Sequence, residues 1–332
     1  MGNEADIQMQ LFQNIRDQIP DHVSFVDEIA ELLEISNDSA YRRIRGEKAL
    51  SLFEVKKLCQ RFNFSVDDLA GSSIQTVTFK TDLLNEQSYS FQEWLRNLLS
   101  FTINTRKSES AEVIFILNEL NIFHMLQIPE VCAFKLFFWQ KSNLDFPHYR
   151  NKCFSLDELN DEFINLTSEI IDHFVKINTI ELTTEECLNS YLKQIMYYSE
   201  AGFFNSRDDA LKLCEKLLDL INHQQEQAEL GLKFPYGKHP VGEDGNFQLY
   251  HNDIILADNT ILIKTEDTQT LIITSNAINL MQTHNKAFFE YNYNWGRNLL
   301  SKSILISGTA EKERNKFFLT LRNHINRIAD QL

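Results

Sequence analysis

The chain of 332 residues carries 32 Lys/Arg against 47 Asp/Glu, a formal net charge of −15. That acidic surplus excludes broad electrostatic coating of nucleic acid or of an anionic membrane, so any contact with DNA has to be focal. Hydrophobic residues at 43% and charged ones at 24% suit an ordinary globular protein with length for two or three cores. No apolar run approaches the ~20 residues a membrane helix needs. The opening MGNEADIQMQ is too acidic and polar for a secretory signal, and the five cysteines are scattered without a C-x-x-C. A cytoplasmic protein with reduced thiols, no membrane contact and no cofactor is expected.

In chain order, residues 1–8 read as a loose arm. Met9 to Ile19 reads as a first helix, with Leu11, Phe12, Ile15 and Ile19 on one side and Pro20 as its stop. Ser24 with Asp27 then signals a helix burying Phe25, Ile29, Leu32 and Leu33. After a tight turn at 33–35, Ser36 caps a helix with Ala40 and Ile44 inward and Gly46 as its left-handed stop. Ser51 with Glu54 opens a further helix burying Leu52, Val55, Leu58, Cys59 and Phe62. Ser65 with Asp68 opens another, ended by Gly71.

With Ala40 and Ile44 held inward, Asn37, Asp38, Tyr41, Arg42 and Arg45 form the outer face of the helix after Ser36. Polar forks on such a face suit a DNA major groove, where Arg grips guanine and Asn adenine by paired hydrogen bonds while neighbouring cations hold phosphates. Residues 1–71 are acidic, with eight Lys/Arg against thirteen Asp/Glu. Residues 36–61 alone hold seven Lys/Arg against three Asp/Glu, so the positive charge is local to this helix and the stretch after it.

The run EISNDSAYRRIRGEK, followed by a capped helix and FNFSVDDL, resembles the phage-repressor-like (lambda repressor/Cro type, XRE-like) helix-turn-helix regulators. The resemblance is confined to about residues 9–71. That family typically carries a sequence like GVSxxTVSRILNGK and then LGVSLDEL. The resemblance implies base contacts from Asn37, Asp38 and Arg42 and phosphate contacts from Ser36 and Arg45; Tyr41, on the same outer face, is also expected to contact the bases. Arg43 and Lys48 are the adjoining cations, also expected on phosphate. Glu34 stands where the family prefers Gly, and Asp38 is suited to accept from cytosine N4.

From 72 to 230 there is one glycine, Gly202, and two prolines, Pro129 and Pro147, a scarcity of breakers that predicts a mostly helical region. Ser72 to Lys80 reads as a linker or short strand. Ser90 caps a helix with Phe91, Trp94, Leu95, Leu98 and Leu99 inside. Val113 to Leu117 fits a buried strand or a helix equally. Pro129 opens a helix through Trp139. Capping signatures at Ser155 with Glu158, Thr183 with Glu186 and Ser206 with Asp209 predict three more helices, the last two forming a helical hairpin.

Residues 231–246, with four Gly and two Pro, read as a linker to an α+β region at 247–332. There Phe247–Tyr250, Asp253–Leu256, Thr260–Thr265 and Thr270–Thr274 predict a small antiparallel meander. Helices are expected over Asn285–Ser301 and Glu311–Asp330, with a short strand at 304–306. The expected fold is therefore multidomain and mainly α: a helix-turn-helix bundle (1–71), a helical middle (72–230) and a carboxy-terminal effector or dimerisation region. His residues show no H-E-x-x-H, and no G-x-S-x-G, Walker loop or G-x-G-x-x-G is present, so an enzyme is not expected. A sequence-specific transcription regulator follows, with double-stranded DNA and a second copy as partners and a small molecule or protein as a possible effector. The alternative is a protein-interaction adaptor whose amino-terminal bundle leaves DNA alone.

Overall fold

The structure, a computed structural model, describes residues 4–16, 19, 23–62, 76–81, 90–108, 110–156, 159–253, 259–275 and 279–332. Its contacts divide the chain into two compact units, Met1–Thr78 and Phe79–Leu332.

In the first unit, α1 (Glu4–Arg16), α2 (Phe25–Leu33), α3 (Asn37–Ile44) and α4 (Leu52–Phe62) close around Leu11, Phe12, Ile15, Ile29, Leu33, Ala40, Leu58 and Phe62. The spacing of these residues is why four short helices hold together: each buries one stripe, and none could persist alone. Three expectations are corrected. The loose arm is in part helix, because α1 begins at Glu4. Ser24 precedes α2 without a side-chain capping bond. Leu52 is 90% exposed, since α4 turns Leu58 and Phe62 inward instead. The helix expected from Ser65 lies outside the described residues.

The second unit is organised by one eight-stranded mixed sheet. Its strands are β1 (Lys80–Thr81), β2 (Glu112–Ile116), β3 (Thr179–Thr183), β4 (Phe247–His251), β5 (Thr260–Lys264), β6 (Gln269–Ser275), β7 (Asn279–Thr283) and β8 (Ile304–Leu305), in the order β1-β7-β6-β5-β2-β3-β4-β8. β2, β3 and β4 run parallel, so helical crossovers must join them. The first crossover holds α6 (Ile122–Met125), α7 (Pro129–Phe138) and α8 (Asp161–Phe174), and the second α9 (Asn189–Glu200) and α10 (Arg207–Leu230). Of the expected antiparallel meander, β5 and β6 pair as expected. Its next strand is β7, which was not expected, while the expected first strand, β4, instead pairs parallel with β3. β5 lies against β2. The strand expected at 253–256 falls mostly outside the described residues.

One face of the sheet (Ile114, Ile116, Leu182, Leu262, Leu271) packs on α11 (Lys286–Ser301) through Phe289 and Leu300. The other lies under α5 (Phe91–Arg106), α7, α8, α10 and α12 (Glu311–Ala329).

This architecture corrects the expected divisions at 72–230, 231–246 and 247–332. The sheet takes β2 and β3 from the supposed helical middle and pairs them with β4 and β5 from beyond the Gly/Pro-rich stretch. Nor is that stretch a free linker. Lys233 is fully buried, and the Gly245 amide donates to Val175 O at 2.8 Å. Two helix starts also move. Thr183 closes β3, with α9 beginning at Asn189 after a 3-10 turn. Asn160, not Ser155, caps α8 by accepting from the Phe163 amide at 2.9 Å. No helix among the described residues is long and apolar enough to cross a membrane.

Candidate nucleic-acid interface

α2 and α3 are joined by three residues, with Glu34 in the left-handed conformation (φ 58°, ψ 45°). That is the turn position where glycine is least strained, and a carboxylate side chain occupies it here. Lys57 Nζ reaches Glu34 Oε1 at 2.6 Å, and its hydrogen bond and charge hold the Glu34 carboxyl below the usual range. Ser36 caps α3, its Oγ accepting from the Ser39 amide at 3.4 Å, so this hydroxyl is engaged within the helix start. Asn37 Nδ2 donates to Asp27 Oδ1 at 2.7 Å, a clasp between α3 and α2 on the exposed surface.

The outer face carries Asp38, Tyr41, Arg42 and Arg45, all exposed. The Arg42 and Arg45 side chains are 57% and 67% exposed, and the Arg45 guanidinium lies 5.7 Å from the centre of the Tyr41 ring. Both arginines approach Glu47, at 4.0 and 3.9 Å, contacts too long and too exposed to fix either guanidinium. Lys48 is exposed beyond the Gly46 stop, which has φ 73°.

Arg43 is the correction. It was expected on phosphate, but its side chain is 7% exposed and its Nη2 lies 2.7 Å from Glu54 Oε1, with Nη1 donating to Ser39 O. The reason is geometric: at i+3 from Ala40, Arg43 shares the inward stripe of α3. Burial works against the charge on Glu54, yet hydrogen bonds from Ser51 and Arg43 leave its carboxyl below the usual range. Lys57 and Arg61 are likewise tied to Glu34 and Glu28 at 2.6 and 2.8 Å. Of the seven Lys/Arg in residues 36–61, this leaves Arg42, Arg45 and Lys48 on and just after α3, with Lys56 exposed on α4.

A residue absent from the expected site positions it. Gln8 of α1 donates through Nε2 to Arg43 O at 2.6 Å and Lys48 O at 2.9 Å, and accepts the Leu50 amide at 2.9 Å on Oε1. One side chain thus ties down both the end of α3 and the loop beyond it. Nothing local in the sequence marks it, because its partners lie 35 to 42 residues away.

The second unit holds a different polar constellation, sealed in its core. His124 Nε2 lies 3.0 Å from Glu181 Oε2, and Lys233 donates to Ile177 O and to Thr179 Oγ1. His223 Nε2 meets Gln127 Oε1 at 3.1 Å and Phe234 O at 3.0 Å. Burial drives the Lys233 ammonium down to about 7 and the His223 imidazole down to about 4. These groups bind neighbouring elements together; His124, Glu181 and Lys233 have no more than a few per cent exposure. Among the described residues, no group of three or more His, Cys, Asp or Glu side chains is arranged to hold a metal. Comparisons with family models, curated proteins and solved structures find no match.

Proposed function

We propose that the chain is a sequence-specific DNA-binding transcription regulator that reads duplex DNA with α3 and acts as a homodimer. The observation carrying this reading is the exposed set Tyr41, Arg42 and Arg45 on one face of a short helix whose opposite face is locked by Ala40 and by the Arg43–Glu54 pair. The three-residue turn between α2 and α3 supports reading the pair as a helix-turn-helix, whose second helix would enter a major groove about 12 Å wide. Arg42 supplies a bidentate fork for guanine, Asn37 an amide for adenine once Asp27 releases it, and Arg45 and Lys48 the phosphate contacts. A single such unit binds weakly, so two copies on half-sites about 34 Å apart complete the recognition.

The test is selection of bound duplexes from a random library, followed by titration against salt. A selected motif and affinity falling steeply with salt are expected. Arg42→Ala relaxes preference at one base pair, whereas Lys48→Ala weakens all sequences alike.

A second reading, a protein-interaction adaptor, is favoured by Leu52 and Phe53, 90% and 66% exposed at the start of α4. Two large apolar side chains together in solvent suit a protein surface better than a phosphate backbone. Absence of duplex binding even at low salt selects that alternative.

A further inference from the structure

Residues 231–247 form a loop with a closed neck. Leu232 and Asn246 bridge as an antiparallel pair, the Lys233 amide donates to Gly245 O at 3.0 Å, and the Phe247 amide donates to Gly231 O at 2.9 Å. Lys233 Nζ donates to Ile177 O, Thr179 Oγ1 and Asn246 O, which fastens the neck to the start of β3. The loop beyond the neck, 234–244, is held more lightly. Its outer part meets the helices through surface ion pairs, Lys238 with Asp172 at 3.5 Å and Glu243 with Lys176 and Arg106 at 3.5 and 3.8 Å. Such pairs contribute little in water.

The inner side of this loop roofs one imidazole. His223 of α10 is 5% exposed, with the Phe234 and Tyr236 rings edge-on to it at 5.0 and 5.5 Å. Its Nε2 faces Phe234 O and Gln127 Oε1, and the same Gln127 oxygen accepts the Tyr236 amide at 2.9 Å. Both partners of Nε2 are acceptors, so Nε2 carries the hydrogen. Gln227 Nε2 donates to the same Phe234 carbonyl at 2.7 Å. The neutral ring is therefore a latch: its one N–H holds the backbone of the loop down.

A second proton on that ring meets no compensating charge. Burial opposes it first, and then His124 of α6, which is itself against Glu181 of β3. From the loop come Lys233 and Tyr236, and around Tyr236 lie Asp219 and Lys216 of α10 and Glu130 of α7. The roofed imidazole is held down to about 4, whereas a solvated one titrates near 6.5. The open loop thus binds more protons than the closed loop between these values. Closure is full above pH 6.5 and is lost as pH falls toward 4.

We propose that residues 234–244 are an acid-released flap: protonation of His223 lifts Phe234 and Tyr236 off its ring while Lys233 keeps the neck fastened to β3. The device is independent of the DNA reading, since every residue in it belongs to the second unit.

The test is hydrogen exchange of the full chain, read by mass spectrometry at single-residue resolution and corrected for intrinsic rates, at pH 7.5, 6 and 5. The Tyr236 amide is compared with the amides of β3, which report opening of the sheet. Tyr236 is expected to be less protected than β3 at each pH, and to lose protection about thirtyfold between pH 7.5 and 5. His223→Gln removes that pH dependence. Tyr236→Ala, at a half-exposed loop position, speeds exchange at residue 236 severalfold at every pH and leaves β3 unchanged. Equal protection of Tyr236 and β3 in wild type means that the loop opens only when the unit unfolds, and overturns the proposal. So does Tyr236 protection that stays constant from pH 7.5 to 5, or the wild-type pH dependence retained in His223→Gln.

Discussion

Glu34 and Arg43 both depart from what their residue types usually do, and each departure has a measurable consequence. A left-handed conformation at a non-glycine residue costs about 1–2 kcal/mol. The Lys57 pair, with Glu34 in solvent, is screened and returns less than that. Glu34→Gly is therefore expected to slow hydrogen exchange of the α2 and α3 amides in the full chain; faster exchange contradicts the strain assigned to this turn. Arg43 compensates a nearly buried carboxylate, and removing one partner of such a pair costs about 3–5 kcal/mol. Arg43→Ala is expected to unfold the first unit at markedly lower urea, a loss seen without any DNA present. An unchanged midpoint with weakened DNA binding returns Arg43 to the phosphate role its charge first suggested.

At the scale of elements, what could be read from sequence was local and what could not was long-range. The cap at Ser90 and the capping box at Ser206–Asp209 are present as expected, because a cap is made within a single helical turn. The same spacing at Thr183–Glu186 misleads: Thr183 is held in β3 opposite His251, and parallel pairing outweighs a capping preference. β2 was ambiguous because it is buried on both faces, which erases the alternation that marks a strand. On α3 the inward and outward stripes were legible in outline, yet Arg43 lies on the boundary and its partner Glu54 is on another helix. Gln8 could not be found at all, since its role exists only once α1 meets the loop after α3.

The Gly/Pro-rich stretch illustrates the same limit. A Cβ on Gly245 falls on the backbone carbonyl of Ile177, whereas one on Gly242 meets nothing within 4 Å. Gly245→Ala is expected to destabilise the second unit by about 2 kcal/mol or more, and Gly242→Ala to change little, as followed by urea unfolding. Equal effects contradict the tight seating of this segment against the end of α8.

For the whole molecule, acid sensitivity and the proposed DNA recognition belong to separate units. Unfolded, His223 titrates near 6.5; folded, burial lowers it to about 4, so between these values the unfolded chain binds the extra proton. Stability attributable to this imidazole is therefore full above pH 6.5 and drains by roughly 3 kcal/mol as pH falls to 4. His223→Gln keeps a donor toward Phe234 O and is expected to flatten the stability profile between pH 6.5 and 4. A slope equal to that of wild type contradicts a neutral buried imidazole.

The outward face of α3 is tested most directly by one comparison: binding of the selected duplex by wild type and by Arg42→Ala/Arg45→Ala, each titrated across salt concentration. Loss of the selected motif and a salt slope shallower by about 1 is the expected result, because one base contact and one phosphate contact disappear while the fold stays intact. The same motif bound with the same slope by both proteins places recognition elsewhere and contradicts the role given to α3.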